Sequence, residues 1–140
     1  MRTLIIILSI TLLPTALFSQ KAPIKFGDVS KEEISMTSYD KDSTASAVIL
    51  ADYGTSTIIY RQKVGFSLDF ERIRRIKILT KEGLRWGDFI IPLYKSGSDD
   101  EKLTNLKAVT YNLEDGNIVE SKLKSDGTFK EDFDANHDLI

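Results

Sequence analysis

Ala47-Val48-Ile49-Leu50-Ala51, Thr57-Ile58-Ile59-Tyr60-Arg61, and Phe66-Ser67-Leu68-Asp69-Phe70 with Ile76-Lys77-Ile78 beyond it are the stretches on which the fold turns. The first belongs to a near-continuous apolar run, Ala45 to Tyr53, of the kind a strand buried on both faces carries. The second is rich in β-branched and aromatic residues, which suit a pleated surface. Gly54 and Thr55 lie between the two and read as a break, so the short spacing predicts an antiparallel hairpin. In the third, Phe66, Leu68, Phe70, Ile76 and Ile78 share one parity while Ser67, Asp69, Glu71, Arg75 and Lys77 take the other, the alternation of a long half-buried strand. Arg72 and Arg74 fall on the apolar parity and Ile73 on the polar one, which predicts a bulge or strong twist near residues 71–75.

The β reading extends to the end of the chain. Lys81 to Gly87 holds two glycines and reads as a turn or one helical turn, with Trp86 in the core. Asp88 to Tyr94 is a strand that belongs at an edge or ends early, because Pro92 cannot donate to a ladder. Ser96 to Glu101 is an acidic loop, and Leu103 to Leu113 and Ile118 to Leu123 flank Glu114-Asp115-Gly116-Asn117. Asp-Gly between two such runs predicts a tight hairpin, since glycine supplies the positive φ. Ser125-Asp126-Gly127 is a further turn, after which the chain runs out in an acidic stretch. Upstream, Ser30-Lys31-Glu32-Glu33 fits a capping box and predicts a short helix over Lys31 to Ser38. Ala22 to Asp28 is a connector. The fold class that follows is all-β, an antiparallel sandwich or strongly bent sheet of about six strands with one short N-terminal helix.

Ahead of this lies a different kind of sequence. Arg2 is followed by an apolar core, Leu4 to Leu13, interrupted only by Ser9 and Thr11 and ended by Pro14. That is the layout of a secretory signal peptide, residues 1–19, cleaved near Ser19 to leave a module of residues 20–140. The run is too short for a membrane-spanning helix, which needs about 20 apolar residues. The expected location is therefore the periplasm or cell surface, without a stable membrane anchor. The 140 residues carry 19 Lys+Arg against 21 Asp+Glu, without the one-sign excess of a nucleic-acid binder. The chain has no cysteine, which excludes disulfides, thiolate metal sites, a cysteine nucleophile and a lipid-modified N-terminus.

Ile34 to Asp40 with the following Ala45 to Gly54, then Arg74-Arg75-Ile76-Lys77-Ile78-Leu79-Thr80-Lys81-Glu82-Gly83, then Leu106 to Leu123, together resemble the exported bacterial family of unknown function 3857, typical of the Bacteroidetes. The resemblance covers nearly the whole mature chain. It implies an all-β N-terminal module that precedes a transglutaminase-like domain with a Cys-His-Asp active site. No residue here corresponds to that active site. Such modules usually continue with further strands beyond the position of Ile140, so an incomplete domain is expected, with exposed apolar sheet surface.

Asp132, Asp134, Asn136 and Asp138 repeat the Asp-x-Asp-x-Asn spacing of calcium loops. His137 stands where the sharp turn wants glycine and the bidentate glutamate is missing, so an acidic solvated loop is the favoured reading and no metal is assigned. Arg72, Arg74, Arg75 and Lys77 form a basic cluster suited to phosphate or an anionic glycan, but Asp69 and Glu71 beside it favour cross-strand pairing. Trp86, Tyr53, Tyr60, Tyr94 and Tyr111 are candidate sugar-stacking rings, with core filling the commoner role. His137, the only histidine, sits in a terminal polar segment with no Gly-x-Ser-x-Gly elbow to serve, so neither a catalytic residue nor a cofactor is assigned. The function expected is a non-catalytic module of an exported envelope protein, positioning a downstream transglutaminase-like domain or binding a protein partner. The alternatives are a glycan-binding module and, behind it, a hydrolase in its own right.

Overall fold

The structure, a computed structural model, describes residues 22–97 and 99–140. The expected signal peptide and its cleavage near Ser19 lie outside the described residues. The fold is all-β: strands in antiparallel sheets, with helical content among the described residues confined to one short α-helix, α1 (Lys31–Ser35), and two 3-10 helices, Lys81–Gly87 and Ser125–Gly127. The strands form three separate sheets. A long ribbon pairs β1 (Ala47–Arg61) with β2 (Gly65–Ile78). A small sheet has the order β3 (Pro92–Tyr94), β7 (His137–Leu139), β6 (Glu131–Asp134), and a second hairpin pairs β4 (Val109–Glu114) with β5 (Asn117–Lys122).

Three expectations about the ribbon are corrected. Gly54 does not end a strand: β1 runs unbroken through it opposite Arg72, with the Phe70 ring lying directly over the glycine. The hairpin partner of Thr57 to Arg61 is therefore β2 rather than Ala45 to Tyr53. The register shift falls on β1, between Ile49 and Ala51, and β2 is continuous through residues 71–75. Arg72 and Arg74 keep the apolar parity because Asp52, opposite Arg74, gives both of them a carboxylate on that face. Finally, the ribbon is not buried on both faces: in its far half β1 is exposed from Gly54 to Arg61, and on β2 only Gly65, Ser67 and Asp69 are half-buried.

The Ser30–Glu33 capping box forms as expected, with the Glu33 amide donating to Ser30 Oγ at 3.1 Å and the Ser30 amide to Glu33 Oε2 at 2.9 Å. The helix is shorter than expected because Met36 turns extended, with ψ 124°. Glu33 also accepts from Arg75 Nη1 at 2.8 Å, across 42 residues of chain. The same guanidinium donates to the carbonyls of Lys25 and Asp28, and Lys77 Nζ donates to the carbonyl of Ile34. Arg75 and Lys77 thus lash the N-terminal segment to β2. The amide of Ser30, helped by Arg75, holds the Glu33 carboxyl below its usual range, and burial pushes the Lys77 ammonium down.

Residues 81–87 form a 3-10 helix of about two turns, longer than the turn or single helical turn expected, and Trp86 is 46% exposed and is not core. The buried residue of that helix is Gly83, set so close to β1 that a Cβ there would lie 2.0 Å from the Ser46 carbonyl oxygen. The Asp115-Gly116 hairpin is as expected, with φ of 50° and 76° at the two turn residues, although its first strand begins only at Val109. Pro92 opens β3, a strand at the edge of its sheet, and Ile91 and Ile140 exchange amide-to-carbonyl bonds just beyond it. The terminal acidic stretch is not a loop; it folds into β6 and β7.

Among the described residues no hydrophobic side chain is buried. Many of the larger apolar residues are exposed, and others, among them Ile73, Ile76 and Ile78 of β2, are only half-buried.

Candidate interaction surface

The ribbon's pairing decides what each face carries. Ile58 is opposite Leu68, Tyr60 opposite Phe66 and Ser56 opposite Phe70, so even-numbered residues of both strands share one face. That face is apolar and open: Ile58 is 74% exposed, Phe66 79%, and Tyr60, Leu68 and Phe70 lie between 63% and 66%. Tyr60 and Phe66 meet edge to face with centroids 5.3 Å apart. Taking about 150–250 Å² for each aromatic side chain, the patch is on the order of 600 Å², at the top of the range for soluble monomers. The opposite face is polar. Thr55, Thr57 and Ile59 of β1 stand across from Glu71, Asp69 and Ser67, and Arg61 donates to both oxygens of Asp69, at 2.9 and 2.8 Å.

At its inner end the apolar face meets a charged clasp. Arg72 donates Nε and Nη2 to the two oxygens of Asp52 at 2.7 and 2.6 Å, and Arg74 Nε donates to the same carboxylate at 2.9 Å. Arg72, aided by Arg74, holds the Asp52 carboxyl down to about 2. Arg74 also lies over the Phe89 ring, 5.7 Å from its centroid. Every member of the expected basic cluster is therefore engaged within the chain: Arg72 and Arg74 across the ribbon, Arg75 and Lys77 on the N-terminal segment. Within that cluster, cross-strand pairing is thus seen for Arg72 and Arg74 alone, and with Asp52 rather than with Asp69 or Glu71.

Other sequence candidates are dispersed. The calcium-like carboxylates lie on β6 and β7, where Asp132 and Asp138 stand opposite each other and share Lys95, while Asp134 is taken up by Asn136 and His137. Lys95 Nζ reaches Asp132 at 2.5 Å and Asp138 at 2.9 Å, while Lys130 Nζ reaches Asp138 at 2.6 Å. Asp138 is buried, and Lys130 with Lys95 holds its carboxyl down; the two aspartates hold the Lys95 ammonium up. Asp134 accepts the Asn136 amide at 2.7 Å and lies 3.0 Å from His137 Nδ1, contacts that lower its carboxyl, the amide most. Among the described residues no group of three acidic or histidine side chains is placed to hold a metal ion. His137 stacks edge to face on Tyr94, 5.8 Å between centroids.

The five candidate aromatic rings do not share one groove. Tyr53 and Tyr60 are on β1, Trp86 on the 3-10 helix, Tyr94 on β3 and Tyr111 on β4, against Gly27. Trp86 does line an open cavity of about 340 Å³ with Tyr39, Val48, Ile49 and Ile76. Asp42, at its edge, is bonded to the Thr44 hydroxyl and amide at 2.7 and 2.9 Å, which lower its carboxyl. The sequence led to the expectation of exposed apolar sheet surface but not to its place: Phe66, Leu68 and Phe70 read as half-buried, and only the pairing across the ribbon shows that nothing among the described residues covers them.

Among the described residues no helix is long and apolar enough to cross a membrane. Comparison with known proteins gives no match: no family model fits the chain, and no curated protein or solved structure is similar to it.

Proposed function

We propose that the chain is a non-catalytic module of an exported envelope protein, and that it binds a protein partner through the apolar face of the β1–β2 ribbon. The observation that carries this reading is the contiguous exposure of Ile58, Tyr60, Phe66, Leu68 and Phe70 on one face of a ribbon whose other face is polar. A patch of that size rimmed by charge is the mark of an interaction surface. The resemblance to family 3857 supports a transglutaminase-like domain on the same polypeptide as the partner, with another envelope protein as the alternative. The charged clasp at Asp52 fixes the inner boundary of the patch and leaves the apolar residues beyond it available.

The test is a photo-crosslinking residue placed at Leu68, on the apolar face, or at Ser67, on the polar face, in the intact protein in its host. A defined adduct from Leu68 and none from Ser67 is the expected result. No adduct from Leu68, or equal labelling from both positions, overturns the reading.

A further inference from the structure

The two long edges of the β1–β2 ribbon are not alike. Neither is paired to another strand in the structure. The β2 edge carries Asp69, Glu71, Arg72, Arg74, Arg75 and Lys77, the charged side chains that keep an open edge from pairing with a neighbour. The β1 edge carries none from Tyr53 to Tyr60, a stretch that holds Thr55, Thr57, Ile58 and Ile59 and no proline. High β-propensity with no charge and no proline is the composition of a strand that accepts another strand.

We propose that β1 pairs along this edge with β1 of a second copy of the chain, antiparallel and about a two-fold axis at Ile58. The result is a four-stranded sheet in the order β2-β1-β1-β2. The occupant is a second copy because the segment is complementary to itself. With the axis at Ile58, Thr57 meets Ile59 and Ser56 meets Tyr60 of the second copy, and Thr55 meets Arg61, so no two like charges oppose. Placing the axis on a residue also keeps even-numbered residues of both copies on the same side. The two apolar faces then join into one surface about twice as wide, and the two polar faces join behind it. Pairing through β2 is constrained by charge: an axis at Phe70 sets Asp69 against Glu71 twice, and an axis at Leu68, the residue opposite Ile58, leaves Asp69 and Glu71 on the seam facing uncharged Ser67 and Gly65.

The absence of cysteine makes the test clean. In full-length protein, the single variant Ile58→Cys brings two thiols directly opposite each other, at a Cα spacing of about 4.5–5.5 Å that a disulfide accepts. Air oxidation is expected to give a disulfide-linked dimer from Ile58→Cys and none from Leu68→Cys. A second variant, Thr55→Lys with Thr57→Lys, places its ammonium groups opposite Glu71 and Asp69 within each ribbon but sets one of them against Arg61 of the second copy. Sedimentation should show the dimer dissociation constant raised roughly tenfold, with no loss of melting temperature. A wild-type chain that stays monomeric overturns the proposal. So does a dimer that survives the lysine variant and crosslinks at Leu68 as readily as at Ile58; that outcome assigns self-association to the apolar face and leaves the proposed function standing.

Discussion

Gly83→Ala tests the packing of the 3-10 helix on the ribbon. The added methyl lies 2.0 Å from the Ser46 carbonyl oxygen and 2.7 Å from its carbon, both backbone atoms that cannot swing aside. Relief requires the helix to move off β1 by about 1 Å or more, because carbon contacts are comfortable only near 3.5 Å. The same Ser46 oxygen accepts the amides of Leu79 at 2.9 Å and Thr80 at 3.1 Å, so the movement stretches two hydrogen bonds as well. Overpacking costs about 1–3 kcal/mol, and each weakened bond adds up to about 1 kcal/mol. Replacing glycine by alanine restores about 0.5–1 kcal/mol of backbone entropy. The net loss expected is about 1–3 kcal/mol, or a fall in melting temperature of roughly 4–12 °C for a chain of this size. Trp86 is the only tryptophan and sits three residues away, so its fluorescence reports this helix directly. Gly87→Ala is the control, since nothing lies within 4 Å of its Cβ position, and it is expected to be neutral or slightly stabilising. A Gly83→Ala melt within 1 °C of wild type, or a Gly87→Ala melt shifted as far, would refute the close-approach argument.

Asp52 is held ionised by Arg72 and Arg74, with its carboxyl lowered to about 2, so its contribution to stability is complete above the usual carboxylate range and is lost as the pH falls from about 4 to about 2. Melting curves of wild type and Asp52→Asn should therefore differ at neutral pH and converge at the acid end; a gap that is independent of pH would show that the charge plays no part. Gly116→Val puts a β-branched residue at φ 76° and should lower stability by ~1 kcal/mol or more, which a thermal melt unchanged by the substitution would contradict. Intact mass of the protein from the envelope fraction should begin near Gln20, and a mass retaining Met1 to Phe18 in the membrane pellet would sink the cleavable-signal reading.

Local signals were legible and distant ones were not. The Ser30–Glu33 box and the Asp115-Gly116 turn depend on residues two or three positions apart, and both form as the sequence indicates. Gly54 was misread because a glycine ordinarily weakens a strand, whereas here the Phe70 ring from the neighbouring strand covers it. The irregular parity at Arg72 and Arg74 pointed to a bulge on the wrong strand, since the carboxylate that accommodates both arginines belongs to Asp52, twenty and twenty-two residues earlier. The strands β6 and β7 were hidden because their acidic residues are compensated by Lys95 as well as Lys130, and the lysine on the far side of the β4–β5 hairpin leaves no mark in the local pattern. Of the interaction surface, its residue types and the presence of some exposed apolar sheet were legible, but which face carries the exposure was not. Burial depends on what lies above a strand, and alternation alone does not report that.

The lashing of the N-terminal segment by Arg75 fixes an order of events in folding. Lys25 and Asp28 precede the guanidinium that binds their carbonyls by 50 and 47 residues. On export the chain crosses with its N-terminal end first, so this segment reaches the far side before the arginine that will hold it. Until the β1–β2 ribbon forms and places that guanidinium, its carbonyls stay hydrated and its backbone open to proteases and chaperones. The first part of the module to arrive is thus among the last to become protected.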